Sequence, residues 1–298
     1  MVFLQSHHHT NNKNYFPNVK NGEEKRSRFA GTQWRPTILL PMLSQKTFSW
    51  ISGGNRFIAR SPAFASDKDS IPQDPMEVLN RIHPPRPDWY EEFYASAMDK
   101  TMKSYEAEIA GYKSQLFANL RGKADRILEI GIGTGPNIKY YANHSGINVV
   151  GVDPNRKMEK YAQAAAEAAG VPRSNFRFMQ AVAEALPLGD ASVDAVVGTL
   201  ILCSVKDVDQ TLQEVKRVLK PGGLYIFVEH VAAKDGTILR FAQGILDPLQ
   251  QTVADGCHLT RNTATNIAGA GFASLDVNQA VLSSASLINP HVYGIAYR

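Results

Sequence analysis

The stretch "LEIGIGTGPN", residues 128–137, places three glycines within five positions directly after an apolar run. The run "RILEIGI", residues 126–132, has the short length and the apolar content of a buried strand. Glycine adopts positive φ at little cost and lets a ligand approach the backbone closely, which favours Gly131, Gly133 and Gly135 as a ligand-binding turn. The segment therefore predicts a strand that ends at a binding site.

The spacing of these glycines separates two classes of nucleotide site. A dinucleotide-binding turn follows the pattern G-x-G-x-x-G, which would put its third glycine at position 136. That position is Pro136, and the pattern present is E-x-G-x-G-x-G beginning at Glu129. Proline also removes an amide that a pyrophosphate could use. A nicotinamide-dependent dehydrogenase is therefore disfavoured.

An acidic residue at the end of the next predicted strand supplies a second indication. Asp153 lies 18 positions after Gly135, at the end of "NVVGVDP". A carboxylate there can accept both hydroxyls of a ribose and would repel a ribose 2′-phosphate. The alternative interpretation is a turn residue before Pro154. We expect a ligand with an unmodified ribose.

Strand and helix patterns alternate along most of the chain. Strands are predicted at 126–132, 148–154, 176–181, 192–202 and 224–231, with helices at 136–144, 156–170 and 207–223. A helix over 91–120 precedes them, and a helical region followed by strands at 274–282 and 291–298 comes after them. We expect one of these last two strands to be antiparallel at the sheet edge. The pattern predicts an α/β fold, namely a doubly wound, mostly parallel seven-stranded sheet with an N-terminal helix.

The positive charge of the chain is confined to its first part. Residues 1–66 hold nine basic and two acidic residues, a net charge of +7, whereas the remainder carries −3. This segment is rich in Ser, Thr and Asn, which is typical of an organelle transit peptide, although a disordered native tail is an alternative. We expect residues 1–66 to be a disordered transit peptide directing the protein to the chloroplast, with the mitochondrion as the alternative. Residues 67–92 are expected to form a Pro-rich linker, and 93–298 the catalytic or binding domain.

Composition excludes several classes of partner. The domain has no basic surface for nucleic acid, and no run reaches the roughly 18 apolar residues that span a bilayer. The two cysteines, Cys203 and Cys257, do not indicate a disulfide framework, and no Cys or His pairs have metal-ligand spacing, so no metal is expected. The oligomeric state is left open by the sequence.

Several motifs together resemble the class I S-adenosylmethionine-dependent methyltransferases. The set consists of Glu129–Gly135, Asp153, Ala183-Glu184, "SVDAVV" (192–197) and "VLKPGG" (218–223). Further stretches are similar to the methyltransferase-like group that includes animal alkyl-thiol S-methyltransferases, and they cover most of 93–298. These stretches include "TLILCSVKD" (199–207), "LDPLQQTVADGCHLTR" (246–261) and "PHVYGIA" (290–296). The animal members carry an apolar N-terminal anchor that the polar leader of this chain does not resemble.

The resemblance implies S-adenosylmethionine as cofactor and assigns a role to each motif. The three glycines would pass close to its amino acid end, and Glu129 would orient the turn or reach the amino group. Asp153 would take the ribose, Ala183 (by its backbone) and Glu184 would flank the adenine, and Thr199 would lie near the methyl donor.

The acceptor side follows less directly from the sequence. His230, which ends the fifth strand, is a candidate for the catalytic acceptor pocket, and Asp255 and His258 are candidates for contact with substrate. The resemblance implies in-line methyl transfer to a small molecule, with a thiol as the acceptor class. The alternatives are C- or O-methylation of a quinone or phenol, and a protein that binds S-adenosylmethionine without turnover.

Overall fold

The computed structural model describes residues 74–142 and 146–298. Its centre is a seven-stranded sheet in the order β3-β2-β1-β4-β5-β7-β6. The strands are β1 (Arg126–Ile130), β2 (Asn148–Asp153), β3 (Phe176–Gln180), β4 (Val193–Thr199), β5 (Leu219–His230), β6 (Ser274–Ala280) and β7 (His291–Tyr297). The first five strands are parallel, and β7 pairs antiparallel with both β5 and β6. The predicted seven-stranded doubly wound sheet is confirmed.

One detail of the predicted sheet was wrong. The antiparallel strand is β7, and it lies between β5 and β6 rather than at the edge. β7 is buried along most of its length, whereas most of β6 is exposed. The more apolar of the last two strands therefore takes the inner position, and the more polar strand takes the edge.

Eight helices are formed by the described residues. They are α1 (Pro75–Ile82), α2 (Asp88–Thr101), α3 (Lys103–Phe117), α4 (Ile138–Tyr141), α5 (Glu159–Ala168), α6 (Val208–Val218), α7 (Ile238–Val253) and α8 (Thr263–Gly269). Helices cover both faces of the sheet, and each face has its own apolar core. No helix among the described residues is long and apolar enough to cross a bilayer.

The segment before the sheet differs from the sequence-based expectation. Residues 74–92 are not an extended linker, because they form α1 and the start of α2. Asp74 caps α1 by accepting the amide of Met76 at 3.0 Å. The predicted single helix over 91–120 is divided at Met102 into α2 and α3. Residues 1–66 and 67–73 lie outside the described residues, so the expectations for them remain predictions.

Two exposed apolar features lie on helices. Five residues along one side of α7 are exposed, namely Ile238, Phe241, Ile245, Leu249 and Val253. On α2, Trp89 and Phe93 are exposed, at 71% and 65% of their surface. The same helix turns Tyr94 and Met98 toward the cavity described below.

Candidate functional site

A cavity of about 670 Å³ opens where the parallel strands end. This is where ligands bind in a doubly wound sheet, and its size lies in the range of small-molecule sites. Its floor is made by the turns that follow β1, β2, β3 and β4. Its roof is made by residues of α1 and α2 and of the loop between them. The predicted glycine turn lies at the centre of the floor.

Positions 133 and 135 of the turn require glycine for different structural reasons. Gly133 has φ of +51°, and a Cβ there would point into open space with no atom closer than 4.0 Å. Gly135 has φ of +77°, and its Cβ would lie 2.9 Å from that of Ala165 and 3.2 Å from Cα of Ala162 in α5. Gly133 therefore presents bare backbone to the cavity, whereas Gly135 allows the turn to pack on α5.

Asp153 joins the turn to the cavity. One oxygen of its carboxylate accepts the amide of Gly133 at 3.0 Å, and the other accepts the amide of Asn155 at 2.9 Å. Burial raises the pKa of Asp153 to about 6, although both amide hydrogen bonds act in the opposite direction. A buried carboxylate that lines a cavity needs further polar partners. The two hydroxyls of a ribose have the chemistry to supply them.

Glu129 lies beneath the turn and does not line the cavity. Its two carboxylate oxygens accept hydrogen bonds from Nδ2 of Asn137 at 2.7 Å and from the hydroxyl of Tyr141 at 2.5 Å. The same Nδ2 donates to Oγ1 of Thr199 at 2.9 Å, and Thr199 does line the cavity. Burial raises the pKa of Glu129 to about 7. Of the two roles expected for Glu129, the structure supports orientation of the turn.

The third part of the floor follows β3. Ala183 and Glu184 line the cavity, and Oε1 of Glu184 accepts the amide of Lys206 at 2.6 Å. Glu184 thereby ties the segment after β3 to the loop after β4. Seven of the eight residues predicted to bind the cofactor thus lie in one cavity wall, in the order that adenine, ribose and amino acid would occupy.

The acceptor residues expected from the sequence separate into two groups. Asp255 lines the cavity, but His230 and His258 do not. Nε2 of His230 lies 3.1 Å from Sγ of Cys257, and Nδ1 of His258 lies 3.4 Å from Asp247. His230 is buried at the end of β5 and His258 is held against α7. The expected role of each histidine toward the acceptor remains a prediction.

The roof supplies residues that the sequence interpretation missed. His83, Arg86, Tyr94 and Met98 line the cavity, and all belong to α1, α2 or the loop between them. His83 and Arg86 both bind the carboxylate of Asp255, at 3.1 Å and 2.8 Å. The hydrogen bond that His83 makes to the carboxylate of Asp255 raises the pKa of His83 above its usual value. Asp74 followed by Glu77 before an apolar segment is a helix-start signal that could have revealed α1.

The loop after β4 is braced from behind the cavity. Oε1 of Glu229 accepts the amides of Ile201 and Leu202, both at 3.1 Å, and burial raises the pKa of Glu229 to about 8. The guanidinium of Arg261 donates to the carbonyls of Leu202 and Val205 at 2.9 and 2.6 Å. Glu229 and Arg261 therefore hold in place the loop after β4, which forms part of the cavity wall.

Comparisons with known proteins agree with this site. The model of a family described as "methyltransferase domain" matches residues 128–227. The chain is 41% identical over 204 residues to human thiol S-methyltransferase TMT1A, covering 65% of this chain and 81% of that protein. It is 38% identical over 206 residues to rat thiol S-methyltransferase TMT1B, covering 66% and 82%. The chain belongs to the class I S-adenosylmethionine-dependent methyltransferases.

A solved structure supports the fold of the methyltransferase. An S-adenosylmethionine-dependent methyltransferase from Thermotoga maritima superposes with a TM-score of 0.51 at 20% identity, covering 70% of this chain and 99% of that one. At that identity the likeness concerns the fold alone. The family match and the two thiol S-methyltransferase relatives show that the protein uses S-adenosylmethionine to methylate a small molecule. The cavity wall fits this cofactor through the bare backbone at Gly133 and the buried carboxylate of Asp153.

Proposed function

We propose that this methyltransferase transfers the methyl group of S-adenosylmethionine to the sulfur of a small thiol. The observation that carries the proposal is the similarity to two animal thiol S-methyltransferases over more than four fifths of their length. The cavity that is lined by seven of the predicted cofactor-binding residues is also lined by Tyr94 and Met98 under the roof. We place the acceptor in that region.

The chemistry of a thiol suits this region. A free thiol has a pKa of about 8.5, so a useful fraction is ionised near neutral pH without a strong base. A phenol, with a pKa of about 10, depends more on a base. Transfer in line needs the acceptor, the methyl group and the departing sulfur to be aligned, which makes positioning the main contribution of the protein. A roof that excludes water helps, because positive charge is lost as the sulfonium becomes a thioether.

The test is a transfer assay with S-adenosylmethionine labelled in its methyl group. Alkyl thiols, phenols and quinols are offered separately, and Asp153→Ala serves as the control that weakens the cofactor site. We expect label on the thiol sulfur only. Label on phenols or quinols would instead support the C- or O-methyltransferase alternative. Cofactor binding without any product would support a binding protein without turnover.

We also propose that residues 1–66 direct the protein to the chloroplast. The proposal rests on the composition of this segment, which has a net charge of +7, few acids and many Ser, Thr and Asn residues. Fusion of residues 1–66 to a fluorescent protein tests it. Fluorescence confined to plastids is expected, fluorescence in mitochondria would favour the alternative address, and fluorescence spread through the cytosol would refute an address in this segment.

A further inference from the structure

Three potential metal ligands meet behind the cavity wall. They are Cys203 in the loop after β4, His230 at the end of β5 and Cys257 in the loop after α7. The two Sγ atoms and Nε2 of His230 all lie within 4.8 Å of one another, and all three residues are buried. None of the three residues lines the cavity. The sequence shows no motif for this cluster, because the three residues come from three separate segments of the chain.

The donor atoms define which ions this cluster suits. Two thiol sulfurs and one imidazole nitrogen are soft or borderline donors, which favour zinc and other thiophilic ions over magnesium or calcium. Bonds of about 2.3 Å to sulfur and about 2.0 Å to nitrogen place neighbouring donors roughly 3.5–3.8 Å apart around a tetrahedral ion. Nε2 of His230 and Sγ of Cys257 are 3.1 Å apart, so small side-chain movements would admit the ion.

The backbone around the cluster is fixed before any ion binds. The carbonyl of Cys203 accepts the amide of His258 at 2.9 Å, which joins the two cysteine loops directly. Arg261 holds the carbonyl of Leu202 beside Cys203. Nδ1 of His230 is buried without a protein hydrogen-bond partner among the described residues, whereas Nε2 faces Sγ of Cys257 at 3.1 Å and is the ring nitrogen placed to bind an ion. Hydrogen bonds therefore hold the two cysteine loops in place beside His230, which supports a preformed metal site.

Three protein ligands leave one position of a tetrahedron open, as in catalytic zinc sites. The neighbours of the two cysteines, Ser204 and Gly256, both line the cavity. We propose that Cys203, His230 and Cys257 bind one thiophilic divalent cation such as Zn²⁺, whose fourth ligand is the sulfur of the methyl acceptor. The part of this proposal that concerns the acceptor rests on the proposed function, whereas the metal site does not.

The chemistry balances without a further reactant. When a thiol binds the cation, its proton leaves to solvent, because a coordinated thiol is deprotonated. A lone pair of the resulting thiolate forms the new S–C bond with the methyl group. The methyl–sulfonium bond breaks, and its electron pair stays on the departing sulfur. The cation keeps its three protein ligands throughout.

Metal binding is tested on the reduced full-length protein after chelation. Cd²⁺ is added, and thiolate-to-metal absorption is followed together with bound metal per chain. The chain has two cysteines, so this absorption reports on Cys203 and Cys257 alone. We expect one ion per chain, and loss of the signal in Cys203→Ser and Cys257→Ser. His258→Asn is the matched control, because His258 lies on the same loop outside the cluster, and it should bind one ion.

The outcomes distinguish the two parts of the proposal. Folded, reduced wild type that binds no Cd²⁺ or Zn²⁺ would overturn the metal site, and this result does not depend on how well any variant folds. In the Co²⁺-loaded protein, hexanethiol is expected to shift the visible spectrum. Transfer to hexanethiol at an unchanged rate after removal of the metal would overturn the role of the fourth ligand. A metal-loaded protein that methylates no thiol would refute the proposed function and leave the metal site standing.

Discussion

Gly133 and Gly135 both have positive φ, but replacing each of them with alanine should have a different effect. The first replacement should mainly weaken cofactor binding, and the second should mainly lower stability. Gly133→Ala places a methyl group in open space beside the cavity, so the fold should survive with a loss of about 1–2 kcal/mol from the left-handed backbone. We expect affinity for S-adenosylmethionine to fall roughly tenfold, which corresponds to about 1.4 kcal/mol. Isothermal calorimetry and thermal unfolding measure both quantities.

Gly135→Ala should act on stability first. Its methyl group would meet Ala165 and the backbone at Ala162, which are parts of a rigid helix. We expect a loss of stability larger than that of Gly133→Ala, by about 1–3 kcal/mol for overpacking. Equal stability of the two alanine variants in chemical denaturation would contradict the packing role of Gly135.

Asp153 should make cofactor binding depend on pH. Its pKa of about 6 lies above that of an exposed aspartate because of burial. S-adenosylmethionine is expected to bind the carboxylate form better, since an ionised carboxylate has more acceptor sites for ribose hydroxyls. Affinity should therefore rise as pH increases through about 6 and level off above it.

The variant Asp153→Asn separates the pH dependence caused by Asp153 from that caused by neighbouring titratable groups. His83 and Asp255 face the same space and interact electrostatically with Asp153, so they add their own pH dependence. The asparagine variant should bind more weakly and lose the step near pH 6 in calorimetric titrations. An unchanged step in this variant would assign the pH dependence to other groups.

Single residues were predictable where chemistry restricts the choice of side chain. Asp153 and the glycines could be placed because a ribose site and a positive-φ turn each accept few residue types. Glu129 was assigned to the right region with two possible roles, and only its contacts with Asn137 and Tyr141 separated them. The contact of His230 with Cys257 could not be predicted, because the direction of a side chain at the last residue of a strand depends on packing that the sequence does not show.

At the scale of elements, one carboxylate links the α1–α2 loop to the rest of the cavity. Asp255 bonds His83 and Arg86 at the two ends of the α1–α2 loop and so ties the roof to the loop after α7. Asp255→Asn keeps the backbone, because asparagine tolerates the positive φ of +49° found there. We expect a loss of roughly 1–2 kcal/mol, faster hydrogen exchange in α1 and α2, and weaker cofactor binding.

The control for this prediction removes a different ion-pair partner of α2. Lys157→Gln breaks an ion pair with Asp88, whose side chain is 88% exposed, and exposed ion pairs contribute little. Hydrogen exchange of α2 should be unchanged in this variant. Equal exchange in Asp255→Asn and Lys157→Gln would show that Asp255 does not hold the roof.

The elements of the sheet were easier to predict than the roof. Apolar runs identify buried strands, and the alternation with helices determines the parallel order. The prolines at 84, 85 and 87 suggest extended chain, and for this reason the sequence predicts a linker over 67–92. Those prolines instead separate α1 from α2, and proline before a helix is compatible with its start.

At the scale of the whole molecule, two truncations should behave differently. Removal of residues 1–66 should leave folding, cofactor affinity and transfer rate unaltered, because the cavity wall is built from residues after Ile82 and its roof packs from Val78 onward. Removal of residues 1–87 deletes α1 together with His83 and Arg86. We expect the shorter protein to retain the sheet but to lose most of its cofactor affinity.

Circular dichroism and calorimetry of the two truncated proteins test this contrast. Failure of the 67–298 protein to fold would refute the first expectation. Full cofactor affinity in the 88–298 protein would show that α1 and the residues beside it contribute nothing to binding.

The position of Trp89 on the roof has a practical consequence. The chain has three tryptophans, at 34, 50 and 89, so a protein shortened to residues 67–298 contains one indole. That indole is exposed and lies against the ring of Tyr90, at 6.0 Å between centroids. Loosening of the roof in Asp255→Asn could then be followed by intrinsic fluorescence, without attaching a dye.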